Sequence, residues 1–413
     1  MMRPTFNQQV LIAAVLGVTL GIALNAADPS FALKGPILYL SNLIGKGVFI
    51  NLLNMILIPL VFTSIVVGIA NLRAHAQIGR VWKLTLLYFF CSTSLAIISS
   101  LIVVNIFKPG IGLEIGFPVA AGDLPAKAMG LAEYIKEFMA GMFMNPFKAM
   151  ATGNILPTII FAIFMGVALV IAGDSQAKTI LRLCEEFFNI VMMMVGWIMK
   201  LLPIGLFALL TDLFASQDIV LLKSLAKFML IVVGTTVFHG FISLPAALWL
   251  ITKRSPVDFF TGMRDSLITA FSTSSSSATL PVTMKCVENN LKVDKDIAGF
   301  ILPLGATANM DGTAIYEAMA AIFVSNLVGI ELNLIQQVIV FFTAMVASIG
   351  APGIPSAGLV TMLMVLQSVG LPVEAVAILI PIDRPLDAIR TVVNVEGDAI
   401  GSCIVQHLTT RKR

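Results

Sequence analysis

Residues 378–405 read ILIPIDRPLDAIRTVVNVEGDAIGSCIV. Within this apolar run Asp383, Asp387, Arg390, Asn394 and Asp398 follow one another at spacings of four, three, four and four, which puts all five on one face of a helix. An ionised side chain at the centre of a bilayer costs at least about 2.5 kcal/mol. Three acids, an arginine and an amide on one stripe therefore read as the wall of a polar site that opens to solute rather than to lipid.

The composition around that stripe is that of a membrane protein. Hydrophobic residues make up 58% of the 413-residue chain and charged residues 12%, about half of what a soluble domain carries. A net charge of +3, with basic residues at helix ends rather than in a tract, argues against a nucleic-acid partner. Cys91, Cys184, Cys286 and Cys403 lie in apolar or helical stretches without a CxxC spacing, so they read as packing residues. No cofactor is expected.

Apolar runs long enough to span are read at about 8–26, 37–71, 82–106, 155–173, 186–211, 222–251, 298–326 and 372–407, which makes eight crossings. The first lacks a small-residue cleavage site and is expected to be retained. Arg3, the cluster Arg73, His75, Arg80 and Lys83, the pairs Lys178 with Arg182 and Lys253 with Arg254, and the tail Arg411 to Arg413 fall on one side of this trace. Lysine and arginine favour the cytoplasmic side, so both termini are expected there, and the loop from Lys108 to about Asn154 outside.

Two stretches do not fit as simple spans. Ser272-Thr273-Ser274-Ser275-Ser276-Ser277 lies between apolar arms too short to cross, and so does Ser348-Ile-Gly-Ala-Pro-Gly-Ile-Pro-Ser-Ala-Gly358. Each reads as a re-entrant hairpin, near 256–290 and 332–368, because non-helical backbone at membrane depth is tolerated only inside protein or beside a watery cavity. A flexible surface linker is the alternative for the serine run. Against it stands repetition: each hairpin precedes a helix with a polar cluster, and paired interrupted segments point to a transporter binding site.

After the first hairpin, Asn309, Thr313 and Glu317 share one helical face, but Asp311 would point elsewhere. A break at Asn309-Met310-Asp311-Gly312 reconciles them and frees backbone carbonyls beside a carboxylate and an amide, an all-oxygen setting that suits a hard cation. A glycine-softened helix capped by Asp311 is the alternative. Glu317, an acid on the inward face, is able to carry a proton.

The serine tip, Asn309-Met-Asp-Gly-Thr313, the tip Gly350 to Gly358, and Asp387-Ala-Ile-Arg-Thr-Val-Val-Asn-Val-Glu-Gly-Asp398 together resemble the dicarboxylate/amino acid:cation symporter family. The likeness is close from about Pro256 onward and weaker but collinear before it, where Asn145-Pro-Phe and Leu156-Pro-Thr fit. It implies an all-α elevator-type glutamate transporter fold of eight transmembrane helices plus two re-entrant hairpins, assembled as a homotrimer. It also implies a scaffold part at about 1–80 and 107–220 and a transport part at about 81–106 and 221–413.

By the same resemblance Arg390 takes the side-chain carboxylate of an acidic amino acid, to which it can offer a bidentate fork. Asp387 takes the ammonium and Asn394 the backbone end, with Thr391 and Thr313 as further contacts. Main-chain groups near Ser274, Ser275, Ser276, Ile354 and Gly358 close from the two tips. Mutual neutralisation of Asp387 and Arg390 is the structural alternative. Asn309, Asp311, Asn394 and Asp398, with main-chain oxygens near Gly305, Ser348 and Ile349, match sodium ligands, and Ser92 and Thr93 match a further sodium site. Glu317 matches the proton-linked glutamate of mammalian members.

The resemblance implies import of L-aspartate and/or L-glutamate coupled to sodium, with protons as a further coupling ion at Glu317, where archaeal relatives carry glutamine, by alternating access across a cell inner or plasma membrane. A four-carbon dicarboxylate carrier of the same fold is the alternative. The second arginine that many members place at the first tip or just before the substrate arginine is replaced by Ser274 and Ala388, which speaks against potassium counter-transport; Arg384 could supply a similar charge. The three histidines accompany no GxSxG elbow, so no serine hydrolase, and no enzyme, is expected.

Overall fold

The computed structural model describes residues 6–28, 31–74, 79–113, 143–216, 219–350, 353 and 356–410. Ile354, Arg3, His75, the tail 411–413 and most of the expected external loop lie outside the described residues. Every regular element among those described is helical.

The first half is built from α1 (Phe6–Ala26), α2 (Lys34–Asn42), α3 (Asn51–Ala74), α4 (Arg80–Phe107), α5 (Pro146–Ala151), α6 (Ile155–Ala172), α7 (Asp174–Lys200) and α8 (Leu202–Ser216). A π-helical stretch, Leu43–Ile50, joins α2 to α3. The spacing Gly17-Val-Thr-Leu-Gly21 lets α1 press backbone against α8: a Cβ at Gly17 would lie 2.7 Å from the Phe207 carbonyl. Small residues four apart are the usual means of such close packing in lipid. The break between α7 and α8 bends the pair by 53° just before Pro203, whose ring cannot continue the hydrogen-bond ladder.

The second half holds α9 (Ile219–Phe238), α10 (Leu244–Thr252), α11 (Pro256–Thr273), α12 (Ser276–Asn289), α13 (Lys295–Ala308), α14 (Asp311–Leu327), α15 (Leu334–Gly350), α16 (Ala357–Ser368) and α17 (Val376–Thr410). A second π-helical stretch, His239–Ser243, lies between α9 and α10. Helices α11 and α12 form an antiparallel pair tied by Ser266 to Thr283 at 2.8 Å and by Asn290 to the Gly262 carbonyl at 2.7 Å. The turn is made by Ser274 in the left-handed region, φ +50°, and by Ser275, whose hydroxyl caps α12 by accepting from the Ala278 amide. Helices α15 and α16 form the corresponding pair, tied by Thr343 to Ser368 at 3.1 Å.

Between α13 and α14 the chain leaves the helix at Asn309 and Met310, as the Asn-Met-Asp-Gly reading expects. Helix α14 is buried on all sides, the mark of a helix at the centre of a core. Phe323 stacks there on Phe228 at 4.3 Å. Four helical segments among the described residues, Gln8–Ala26, Lys34–Ala70, Arg80–Phe107 and Lys223–Thr252, are long and apolar enough to cross a membrane, and the bent pair makes a fifth if it is one span.

Candidate functional site

Helix α17 carries the polar stripe into the centre of the second half. Arg390 is fully buried, and its guanidinium lies 4.1 Å from the ring centroid of Tyr316, which supports it as a cation–π partner. One nitrogen, Nη2, donates to both Asp383 Oδ1 (2.7 Å) and Asp387 Oδ1 (3.0 Å). The other two, Nε and Nη1, have no hydrogen-bond partner in the protein. A buried donor without an acceptor costs about 1–3 kcal/mol, more when charged, so the unfilled face of this guanidinium calls for an anion. Nη1 is directed at Gly358, where a Cβ would come within 3.2 Å of it and 3.6 Å of the Thr313 methyl.

Asp387 links two elements as well. Its second oxygen, Oδ2, accepts from the Ser356 amide at 2.8 Å, with Arg384 Nη1 3.7 Å away. Asn394 accepts from the Gly312 amide at 2.8 Å and donates to Thr313 at 3.3 Å, which joins α17 to the start of α14. Gly312 allows that approach, since a Cβ there would sit 2.6 Å from the Arg390 carbonyl. The Thr391 hydroxyl is spent on the Asp387 carbonyl, 2.8 Å away.

Two turns further along α17 the charge is of the other sign. Asn309 donates to Asp398 at 3.1 Å, and Gly305 leaves the room for that carboxylate, into which any Cβ would run. Asp311 accepts from Thr93 at 2.7 Å and Ser92 at 3.3 Å through Oδ1, and faces His239 Nε2 at 3.2 Å through Oδ2. Beside them Thr93, Ala308, Ser348 and Ile349 help to line a cavity of about 230 Å³.

The two hairpin tips meet over this region. Ser275 Oγ donates to the Gly353 carbonyl at 2.5 Å, and the Ser277 amide donates to the same oxygen at 3.2 Å. A Cβ on Gly353 would run into Ser277 Oγ and come within 2.7 Å of the Ala306 carbonyl, so only glycine lets the tips close.

The sequence profile of the sodium:dicarboxylate symporter family matches residues 6–408. The chain belongs to this family. Among relatives, the human protein named excitatory amino acid transporter 3 is 32% identical over 98% of this chain and 86% of its own length. A Caenorhabditis elegans excitatory amino acid transporter is 34% identical over 96% and 86% respectively. Human neutral amino acid transporter A is 33% identical over 98% and 83%. Members of the family are transporters, and this chain is a transporter rather than an enzyme.

Within the family frame, the residues singled out in the sequence fall into one connected region. Asp387 and Gly358 lie against the Arg390 guanidinium, Thr313 lies beside Gly358 and accepts from Asn394, and Ser274, Ser275 and Ser276 are buried at the first tip. Gly305, Asn309, Asp311, Asp398, Ser92 and Thr93 gather around the acids, and Ser348 and Ile349 stand at the cavity beside them. Asp383, already visible in the stripe, proves to share Nη2 with Asp387. Two further partners have no mark in the spacing: Tyr316, five residues beyond Asp311 on α14, and His239, which comes from a different helix altogether. A lone histidine in an otherwise apolar span was the one available signal for the last.

Proposed function

We propose that the protein is a secondary active symporter that imports acidic amino acids, L-aspartate or L-glutamate, coupled to sodium. The observation that carries this reading is Arg390: a buried guanidinium with two nitrogens unpartnered, beside an aspartate, Asp387, whose oxygens each accept one hydrogen bond and keep a lone pair for an ammonium group. A guest with a carboxylate for Arg390 and an amino group for Asp387 satisfies both, and a second carboxylate has the amide-rich tips and Asn394 to meet it. The printed names of the relatives divide between excitatory and neutral amino acid transporters. A neutral side chain would leave Nε and Nη1 of Arg390 buried and bare, which favours the acidic guest.

Sodium is cargo here as well as driving ion. Asn309, Asp311, Asn394 and Asp398, with main-chain oxygens near Gly305, Ser348 and Ile349, would hold it, and Ser92 and Thr93 would serve a further ion at Asp311. Glu317, fully buried with Thr361 and Arg390 among its polar neighbours, adds proton co-transport to the reading. Eight crossings with both termini cytoplasmic in an inner or plasma membrane, two re-entrant hairpins, a homotrimer in the bilayer, and a transport part (81–106 and 221–413) moving against a scaffold as an elevator complete it. The four-carbon dicarboxylate carrier is the second reading, favoured by the hydrogen bonds that Asp387 already accepts from the Ser356 amide and from Arg390, which hold its carboxylate without an ammonium.

Uptake of labelled L-aspartate into liposomes carrying the purified protein, under an inward sodium gradient, a proton gradient, both or neither, tests the proposal. Sodium-driven uptake that succinate and alanine fail to block is expected. Block by succinate would replace the amino acid reading with the dicarboxylate one. For the proton, uptake by Glu317→Gln across about pH 5 to 8, the carboxylate and histidine range, is expected to lose the pH dependence of the parent; identical profiles would remove Glu317 from the coupling.

A further inference from the structure

His239 and Asp311 face each other in the interior, neither side chain exposed, with Nε2 3.2 Å from Oδ2. His239 opens the π-helical stretch His239–Ser243, a wider turn of a kind that recurs at functional sites. Its other ring nitrogen, Nδ1, is buried without a partner. A ring with hydrogens on both nitrogens would strand an N–H donor at Nδ1, whereas the tautomer with its hydrogen on Nε2 donates to Asp311 and leaves only a lone pair uncovered. The remaining donors to Asp311, Ser92 and Thr93, are neutral hydroxyls. The titratable groups that interact with Asp311 from α17 are Glu396 and Asp398, acids like itself. Asp311 is thus clamped from α4 on one oxygen and from the π-helical stretch on the other, and in this tautomer every donor to it is a neutral group.

We propose that His239 is a positioning residue for cation coupling: as a neutral donor it fixes the Asp311 carboxylate in the orientation that binds the co-transported cation, without competing with that cation for charge. The inference rests on the sodium-coupled reading of the site. It also assigns a use to the π-helical stretch, whose first residue carries the ring to Asp311.

The test compares the parent with His239→Ala and His239→Gln in liposomes, reading the sodium concentration for half-maximal aspartate uptake and, separately, the aspartate half-saturation at saturating sodium. Glutamine offers an amide N–H at similar reach and cannot become a cation. For His239→Ala, half-maximal uptake is expected to need about tenfold more sodium, as for losing one hydrogen bond to a charged group, while aspartate half-saturation at saturating sodium stays near the parent's. His239→Gln is expected to recover most of the sodium affinity. An unchanged sodium requirement in His239→Ala overturns the inference, and so does an equal rise in both constants that glutamine fails to repair. If alanine prevents folding, sodium-dependent thermal stabilisation of purified His239→Gln decides: stabilisation at parent-like sodium supports the role, and its loss in the folded variant overturns it. A parent protein without sodium-dependent uptake would instead sink the functional reading itself.

Discussion

The two ends of the polar stripe on α17 are built to opposite plans. Around Arg390 the cation is fixed first, by the Tyr316 ring and by two carboxylates on a single nitrogen, and two further nitrogens are left over. Around Asp311 and Asp398 the acids are fixed by an amide, two hydroxyls and an imidazole, and no lysine or arginine is among those hydrogen-bonding partners. The two ends are about 12 Å of helix apart, eight residues at 1.5 Å each. One end presents guanidinium donors to spare, and the other presents acids with no basic side chain among their hydrogen-bonding partners other than the imidazole of His239. An anion and a cation bound together would remove the burial cost of both, which is the physical content of coupling.

That contrast breaks most readily at Arg390. Arg390→Lys keeps the charge but loses the planar fork and the stacking on Tyr316, and aspartate uptake is expected to fall about a hundredfold, given roughly 1.5–3 kcal/mol for hydrogen bonds to charged groups. Asp311→Asn keeps the shape while removing the charge. At least about a tenfold rise in the sodium needed for half-maximal uptake is expected, with a much smaller change in aspartate half-saturation at saturating sodium, since charge count tunes hard-cation sites. A parallel loss of both would mean that the ends are not distinct.

The tips sharpen the comparison because both must close over it. Gly353→Ala forces a methyl towards Ser277 and the Ala306 carbonyl, and about a tenfold slower uptake is expected from overpacking of roughly 1–3 kcal/mol. Ser275→Ala removes one hydroxyl bond to the Gly353 carbonyl, and a drop of about fivefold is expected for roughly 1 kcal/mol. Initial rates in liposomes at matched protein density separate these from folding defects, which appear in the yield of purified protein.

Much of this was legible in the sequence because it is local. The four-three-four-four spacing fixes the face of α17, the Asn-Met-Asp-Gly run fixes the break before α14, and the serine tip supplies both the left-handed turn and the cap that start α12. The contacts that tune the charges are tertiary. Nothing within α9 or the π-helical stretch after it marks His239 as a partner of a residue 72 positions away, and nothing in α14 distinguishes Tyr316 from packing until Arg390 lies on it. Asp383 was visible in the stripe, but only the folded helix shows it sharing one nitrogen with Asp387. Crossings were harder to count than sites: the helix expected over 298–326 is divided at Asn309, and the helix that carries the site is too polar to register as an apolar span.

The most direct test of the two-ended site is equilibrium binding of L-aspartate to the purified protein in sodium buffer and in choline buffer of equal ionic strength, for the parent and for Asp311→Asn. Binding at least about tenfold tighter in sodium is predicted for the parent, a coupling of roughly 1.4 kcal/mol that must hold reciprocally for sodium, and the difference is predicted to collapse in Asp311→Asn. Equal aspartate affinity in both buffers for the parent would contradict the account.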